Sequence, residues 1–547
     1  MRYALAALAY ALITAAIFHN LLPGMSTHIY SDIGDPLLNA SILAWNAKHV
    51  PLSGGWWNYP SFAPLSGVTA WTEHLLGAYP LTTPIVWATG NPLLAYNALL
   101  LICFPLNGLA MFALAREITG SDAGAFVAGL AFAFAPYQSG QVSHVQMLMA
   151  FGMPLALLGL HQQVEHGRRR GVVLFAIGFL SVVLSNAYTL VFFPLLAAFW
   201  CLWFGRQRRK QLIPIVVAAT MVMIAMAPLL WGYHVRQAAY GLARNYDEIR
   251  SFGADLRSFA AVAHQELLWS RWLIITFIEA PFFPGVAILA LTAIGVAPRL
   301  RGAWRRRDPV AFYLAGAIAM WLLALGPEPS WAGMRVLAHG PYRLLLLLPG
   351  SASIRVPARA WLLAVACLAV TAGAGASVLM QRGRWRWVAI VLAVLIVAEG
   401  WFVDTVPQVP PPFGSGTIPP GATVLDLPIG AGADNVPAEY LAVTNGYRVI
   451  NGYSGYSPPH FASLREALAA HNPAAFEAYR QYQDLYVIVR DSVDASFTRW
   501  LEEQDGVELI VPARTGRLYR LSRLDAHPYV SFPLPLPVKE ASFFHLP

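Results

Sequence analysis

Residues 171–210 read GVVLFAIGFLSVVLSNAYTLVFFPLLAAFWCLWFGRQRRK. Residues 171–205 carry no charge, and the run ends in a basic cluster at residues 206–210. About 17–25 apolar residues cross a bilayer as one helix, so this run is too long for a single span. Polar residues near its middle, Ser185 and Asn186, therefore predict a hairpin of two spans.

The composition of the whole chain indicates the same class of protein. Of 547 residues, 57% are hydrophobic and 12% are charged, whereas soluble chains average roughly 25% charged. This composition excludes a soluble or disordered chain and predicts an integral membrane protein. No phosphate-binding glycine loop or RNA-binding motif occurs, so no nucleic-acid partner is expected. The three cysteines, Cys103, Cys201 and Cys367, lie in apolar segments and predict neither a disulfide nor a zinc site.

Apolar runs of suitable length predict an α-helical polytopic bundle of about eleven spans, occupying residues 1–403. A twelfth candidate, residues 75–89, contains Pro80 and Pro84 and is predicted to be a short helix at the outer interface. The predicted spans are residues 3–22, 92–115, 122–136, 144–164, 171–186, 188–205, 211–232, 281–297, 309–326, 360–380 and 387–403.

Positive charges orient these spans. The loops of one side, including Arg168–Arg170 and Arg305–Arg307, contain 17 Lys and Arg in short stretches, and the long loops of the other side contain 10. Short cytoplasmic loops are enriched in Lys and Arg. The sequence therefore predicts a multi-pass membrane protein with a cytoplasmic N-terminus, an uncleaved first helix and an outer first loop at 23–91.

The C-terminal part differs in composition. Residues 404–423 are rich in Pro and Gly and predict a linker, and residues 424–547 contain strand-like runs such as ATVLDL and DLYVIV between helical ones. They predict a small α/β domain on the extracytoplasmic side of the membrane. Its NGYSGYSPPHF stretch, 451–461, could contact a glycan or form a structural turn.

The first outer loop places two carboxylates beside the first span. Asp32 and Asp35 occur in SDIGDPLLNASILAW, where Pro36 suits the first turn of a helix and Asp35 suits its N-cap. Leu38, Ile42 and Trp45 would share one face of a helix lying on the membrane surface. Either acid could serve as a general base, or Asp35 could cap the helix while Asp32 is solvated.

Further polar residues occur in the outer loops. Glu73, His74, His144 and Gln146 could orient Asp35 or bind a sugar, or they could be ordinary interfacial residues. Asp32, Asp35, Glu73 and His74 would also allow a divalent cation, although their spacing does not require one.

Three arginines precede the tenth span on the outer side. Arg343, Arg355 and Arg359 lie on the side of the membrane where arginine is disfavoured. A guanidinium group can bind two oxygens of one phosphate at once. The three arginines predict a pocket for a lipid phosphate, with snorkelling to headgroups as the alternative. In the charge-mixed loop 233–280 solvated charge is expected, although Asp247 and Glu248 could face the same cavity.

The strings SDIGDPLLNASILAW, WTEHLLGAYP, APYQSGQVSHVQ and SIRVPARAW resemble a group of bacterial membrane proteins assigned to the GT-C superfamily of glycosyltransferases. That superfamily takes sugar from a polyprenyl-phosphate donor and uses an acidic residue of the first outer loop as base. The resemblance implies Asp35 as the first candidate base, Asp32 as the second, and the three arginines as donor-phosphate ligands. The two acids here are three residues apart, whereas the family's acids are adjacent or one residue apart.

The resemblance implies an inverting glycosyltransferase of the bacterial inner membrane. It would move a sugar from a polyprenyl-phosphate donor to a lipid, glycan or protein acceptor on the outer face of that membrane. Two other functions fit the sequence: a flippase or exporter of lipid or glycan, and a non-catalytic scaffold for envelope assembly. Transporters place charge at the bilayer midplane and contain internal repeats, and neither feature is found in this sequence.

Overall fold

The computed structural model describes residues 1–524 apart from 277–278, 349, 411–416, 482 and 514–515. Part of the predicted linker, 411–416, and the end of the predicted C-terminal domain, 525–547, lie outside the described residues. The longer helices are Arg2–Ile17, Asp35–Lys48, Tyr79–Thr89, Pro92–Thr119, Asp122–Ala133, Gly152–Leu160, Arg170–Ser185, Ala187–Phe204, Arg209–Ala239, Val286–Val296, Pro309–Ala324, Trp361–Met380, Arg386–Glu399, Val436–Asn445, Pro459–Ala469 and Ala495–Glu502. Short helices are Pro136–Ser139, Val145–Leu148, Tyr246–Ser251, Ala303–Arg306, Tyr342–Leu345 and Ala474–Arg480, and a π-helical turn covers His161–Glu165.

Each of the eleven predicted spanning segments contains a helix. Within the described part of the chain, five helical segments are long and apolar enough to cross a membrane by themselves: Pro92–Thr119, Val145–Glu165, Ala187–Phe204, Arg209–Ala239 and Pro357–Met380. The remaining apolar helices are shorter, so the count of eleven stays a prediction.

The long apolar run folds into a hairpin, as the sequence predicts. Asn186 interrupts it with extended backbone and caps the second helix through a hydrogen bond from the Thr189 N–H, 2.8 Å long. Across the break, the rings of Phe179 and Phe193 lie 6.3 Å apart, whereas an unbroken helix would separate these positions by about 21 Å. The two helices therefore fold back on each other.

The helix Asp35–Lys48, called here the Asp35 helix, lies inside the protein. Nearly all its residues are buried, and it packs against the helices Tyr79–Thr89, Pro92–Thr119 and Val436–Asn445. The prediction that it lies on the membrane surface is therefore wrong. The N-cap prediction is also wrong: Gly34 occupies that position, and Asp35 is the first helical residue.

The C-terminal segment, residues 417–524, contains one five-stranded mixed sheet. Its strands are β1 (Thr423–Leu427), β2 (Arg448–Val449), β3 (Leu485–Arg490), β4 (Val507–Ala513) and β5 (Gly516–Leu521), in the order β2-β1-β3-β5-β4. Strands β2, β1 and β3 are parallel, and β5 runs antiparallel to both β3 and β4. Alternate side chains face opposite sides of a strand. Val424 accordingly joins the core shared with the helical part, while Leu425 joins the core beneath the segment's own helices.

Backbone hydrogen bonds attach the first outer loop to distant parts of the chain. Residues 27–31 pair with 405–409, and residues 60–63 pair with 449–451 beside strand β2, through N–H to oxygen distances of 2.8–3.1 Å. The first pairing holds the chain that leads into the C-terminal segment, and the second holds the segment itself, against the outer loop that contains the Asp35 helix.

Candidate active site

A chain of polar contacts begins at the first turn of the Asp35 helix. Nε2 of His144 lies 3.2 Å from Oδ2 of Asp35 and 3.8 Å from Oε1 of Glu279. Nε2 of His144 therefore faces both carboxylates. The Asp35 side chain is 32% exposed, against 16% for His144 and 15% for Glu279. Asp35 is therefore the most accessible of the three.

Arg359 continues this chain. Its Nη2 donates to Oε1 of Glu279 at 2.7 Å, and its Nε donates to the other oxygen of the same carboxylate. The guanidinium is 5% exposed and lies 4.3 Å above the ring of Tyr188. Such a two-bond pair fixes orientation as well as charge, so Arg359 holds Glu279 in place beside His144.

The electrostatics keep the two carboxylates ionised. Burial is the largest influence and would raise the pKa of Asp35, but hydrogen bonds from His144 and Tyr453 and the charge of Arg359 outweigh it, and the pKa is lowered. For Glu279 burial is again the largest influence, and Arg359 and His144 together lower the pKa. An ionised, partly exposed carboxylate can accept a proton at neutral pH.

Tyr453 reaches this site from the C-terminal segment. A Cβ at Gly432 would lie 4.0 Å from its ring, and one at Gly34, the residue before Asp35, would lie 3.2 Å from the Ala433 Cβ. The Tyr453 hydroxyl lowers the pKa of the neighbouring Asp35 carboxyl. Burial, followed by the charge of Asp35, raises the pKa of Tyr453, so the phenol stays protonated. The C-terminal segment thus contributes directly to the surroundings of Asp35.

Arg355 lies on the same side of the protein as Tyr453, whose hydroxyl feels its charge. Its side chain is 32% exposed, and its Nη1 lies 4.0 Å from Oε1 of Glu248. Its Nε is buried and has no hydrogen-bond partner among the described residues. Arg244 binds the same Glu248 oxygen at 2.9 Å. Glu248 therefore faces the arginines, while Asp247 is 80% exposed.

The structure does not bring Arg343 into this group. Its side chain is exposed, donates to Nδ1 of His339 and lies 5.8 Å from the ring of Tyr246. Of the three predicted phosphate ligands, Arg355 has an unused donor, Arg359 is occupied by Glu279, and Arg343 lies elsewhere.

The other predicted acids, Asp32 and Glu73, are hydrogen-bonded to groups other than Asp35 and His144. Asp32 accepts from the Gly34 N–H at 2.7 Å and from the Ser143 hydroxyl at 2.9 Å, which ties the first loop to the loop of His144. Glu73 accepts from the Ala187 N–H at 3.2 Å. Burial raises the pKa of Glu73, and the charge of Arg359 opposes that rise, so Glu73 faces the same guanidinium as Glu279.

His74 and Gln146 lie within the packed interior. Burial lowers the pKa of His74 to about 4, and its Nδ1 accepts from the Leu76 N–H at 3.1 Å, so the ring is neutral at physiological pH. Gln146 accepts from Asn39 of the Asp35 helix at 3.2 Å. Both residues hold the Asp35 helix and its neighbours together.

Within the residues that the structure describes, no three His, Cys, Asp or Glu side chains are grouped as metal ligands. The four predicted ligands are separated: Asp32 and Glu73 bind backbone N–H groups, His74 is buried apart, and Asp35 faces His144. These four side chains therefore do not fit a shared cation.

Sequence reasoning missed Glu279 and Tyr453 as site residues. Glu279 lies just before the predicted span 281–297, and Tyr453 lies in the stretch 451–461, for which a structural turn was one of the two interpretations. The one available signal was that each charge near a span end needs a partner; the sequence could not identify which partner.

No protein-family model matches the chain, and no curated protein is similar to it in sequence. Solved structures do resemble it. The cryo-EM structure of the arabinofuranosyltransferase AftD from mycobacteria superposes with a TM-score of 0.58 at 17% identity over 96% of this chain. A mutant form of AftD gives 0.57 at the same identity and the same coverage of this chain. The crystal structure of the Archaeoglobus fulgidus oligosaccharyltransferase gives 0.45 at 14% identity, covering 88% of this chain and 68% of that one.

The two mycobacterial comparisons show that the chain shares the fold of these membrane-enzyme structures, in agreement with the five helical segments that are long and apolar enough to cross a membrane. It spans 40–42% of the length of those two structures.

Proposed function

We propose that this protein is a membrane glycosyltransferase that moves a sugar from a polyprenyl-phosphate donor to an acceptor hydroxyl on the outer face of the inner membrane. The observation that carries the proposal is the ionised, partly exposed Asp35 held between His144 and Tyr453, with arginines nearby. The GT-C fold supports the reaction class, and the distribution of basic loops supports the outer location.

In this mechanism Asp35 removes the proton from the acceptor hydroxyl. The freed oxygen attacks C1 of the sugar from the side opposite the phosphate, the C1–O bond breaks, and polyprenyl phosphate leaves with both bonding electrons. The configuration at C1 is inverted, and the proton ends on Asp35. His144 fixes the carboxylate for this transfer from 3.2 Å. Holding both reactants in line can supply several kcal/mol of the barrier reduction.

Arg355 is the proposed contact for the leaving phosphate. It is partly exposed, and its Nε has no partner among the described side chains and backbone groups. Arg359 is too fully occupied by Glu279 to bind the donor in the same way, so its role is to hold Glu279 and contribute positive charge near Asp35. Arg343, exposed and paired with His339, is assigned no part in this step.

The test is sugar transfer by the full chain in nanodiscs. Purified protein would be incubated with polyprenyl-phosphate-linked pentofuranose, the sugar class suggested by AftD, and with hexopyranose donors, and released polyprenyl phosphate would be quantified by mass spectrometry. Asp35→Asn should lower the rate by at least about 100-fold, the usual contribution of a general base. Asp32→Asn, which keeps the hydrogen bond at Gly34, should lose less than about tenfold.

An unchanged rate in Asp35→Asn, with the protein folded, would reject this proposal and favour a carrier or scaffold. Arg355→Met should raise the KM for the donor more than it lowers kcat. A matched Arg343→Met variant should leave the donor KM unchanged.

A further inference from the structure

The loop Asn451–Tyr456, called here the tyrosine loop, runs from the end of strand β2 toward the helical part of the protein. Three contacts from different regions hold it. The Tyr453 N–H donates to Oε1 of Glu439 at 2.6 Å. The Ser454 hydroxyl donates to the carbonyl of Trp71 in the first outer loop at 2.7 Å.

Arg244 provides the third contact. Its Nη2 donates to the Gly455 carbonyl at 2.6 Å, and its guanidinium lies 3.7 Å above the ring of Tyr456. The loop is also pressed against the first outer loop, because a Cβ at Gly452 would lie 2.2 Å from the ring of Phe62. The backbone around Tyr453 is therefore held by three contacts, which restrict the position of its side chain.

The ring of Tyr453 lies beside Gly432, whose neighbour Ala433 contacts Gly34, so the hydroxyl is held next to the Asp35 carboxylate and acts on it. The charged and titratable groups that act on Asp35 are His144, Tyr453, Arg359 and Tyr96, while Asp32 and Arg355 also act on the Tyr453 hydroxyl. Among these, His144 approaches from the helical part and Tyr453 from the C-terminal segment. Two donors on different structural elements can hold a carboxylate in one orientation, and a base must be oriented to accept a proton in line.

We propose that Tyr453 is a positioning residue for Asp35, so that the C-terminal segment must be docked through the tyrosine loop for transfer to occur. This inference rests on the proposed function, since it concerns the orientation of the base. It gives the C-terminal segment a defined part in the reaction: its loop completes the site instead of only covering it.

The experiment compares Tyr453→Phe with Tyr456→Phe in the full chain in nanodiscs. Both changes remove one hydroxyl from the same loop, and the second keeps the aromatic ring beneath Arg244. Losing a hydrogen bond to a charged group should lower kcat about tenfold in Tyr453→Phe, with the donor KM changed less than about twofold. The acidic limb of the pH–rate profile should move to higher pH, because the ionised form of Asp35 loses a donor. Tyr456→Phe should change none of these quantities by more than about twofold.

A measurement independent of turnover separates this inference from the proposed function. Infrared spectra are recorded for each tyrosine variant with and without Asp35→Asn. The difference between the two spectra reports the titration of the Asp35 carboxyl in the folded protein, whether or not sugar is transferred. A higher titration midpoint in Tyr453→Phe than in Tyr456→Phe supports the positioning role. Equal midpoints in the two variants would overturn it, even if Asp35→Asn abolishes transfer. An inactive parent protein would count against the proposed function and leave the infrared result to decide the contact.

Discussion

The pair Arg359–Glu279 offers a quantitative test of how the site is held. Both groups are nearly buried, at 5% and 15% exposure, and each uses the other as its main counter-charge. Removing one partner of such a pair leaves an uncompensated charge and costs about 3–5 kcal/mol. We therefore expect Arg359→Met and Glu279→Gln each to lower the free energy of unfolding by about this amount.

The double variant distinguishes pairing from simple loss of packing. Replacing both members of a buried ion pair with groups of similar volume is often neutral, so Arg359→Met with Glu279→Gln should lie within about 2 kcal/mol of the parent protein. Unfolding would be followed by tryptophan fluorescence of the full chain in mixed detergent micelles. The matched exposed pair is Arg250–Asp247, at 51% and 80% exposure and 3.2 Å separation, where the same changes should cost less than about 1 kcal/mol.

If the double variant were as unstable as the two single losses added together, the two residues would not depend on each other for charge compensation. The interpretation of Arg359 as the holder of Glu279 would then be rejected.

Two further changes test the docking of the C-terminal segment. Burial raises the pKa of Glu439 from 4.5 to about 8, so the unfolded chain ionises first and stability falls as pH rises from about 4.5 to 8. In thermal unfolding Glu439→Gln should gain stability over the parent at pH 8 and not at pH 5, and the exposed Glu503→Gln should show no such difference between the two pH values. Gly452→Ala should lose about 1–3 kcal/mol by overpacking against Phe62, as measured in the same micelles. Gly54→Ala, where an added Cβ meets nothing within 4 Å, is its control, and equal losses in the two alanine variants would contradict the contact.

Much of the helical architecture could be predicted from apolar run length, because a span needs a minimum number of residues whatever its partners. The break at Asn186 followed from the same arithmetic and from its polar neighbours. Likewise, the long first outer loop and the arginines before the tenth span were both assigned to one side of the membrane. The structure brings Asp35 and Arg359 from these two regions into one electrostatic network.

The position of the Asp35 helix could not be predicted in the same way. Leu38, Ile42 and Trp45 do share one side of the helix, and the polar residues Asn39, Ser41 and Asn46 flank that side. In the structure these polar groups are buried and bonded to Gln146, Tyr59 and the His74 carbonyl. Buried polar groups are almost always hydrogen-bonded. Since their partners lie elsewhere in the chain, the local sequence cannot show whether polar residues such as these are buried or exposed to water.

The roles of the arginines separated for a related reason. Residue type and spacing do not distinguish Arg343, Arg355 and Arg359. Their environments differ because each has different neighbours in the folded chain. Glu279 occupies Arg359 and His339 takes Arg343, leaving Arg355 with an unused donor among the described residues.

The pairing of residues 27–31 with 405–409 also has a consequence for biosynthesis. A ribosome adds about 5–20 residues per second, so residues 27–31 emerge roughly 20 to 75 s before residues 405–409 have been made. During that interval residues 27–31 lack these backbone partners. Translation that stops before residue 405 would thus leave this pairing unmade, so the surroundings of the candidate site are completed late in the synthesis of the chain.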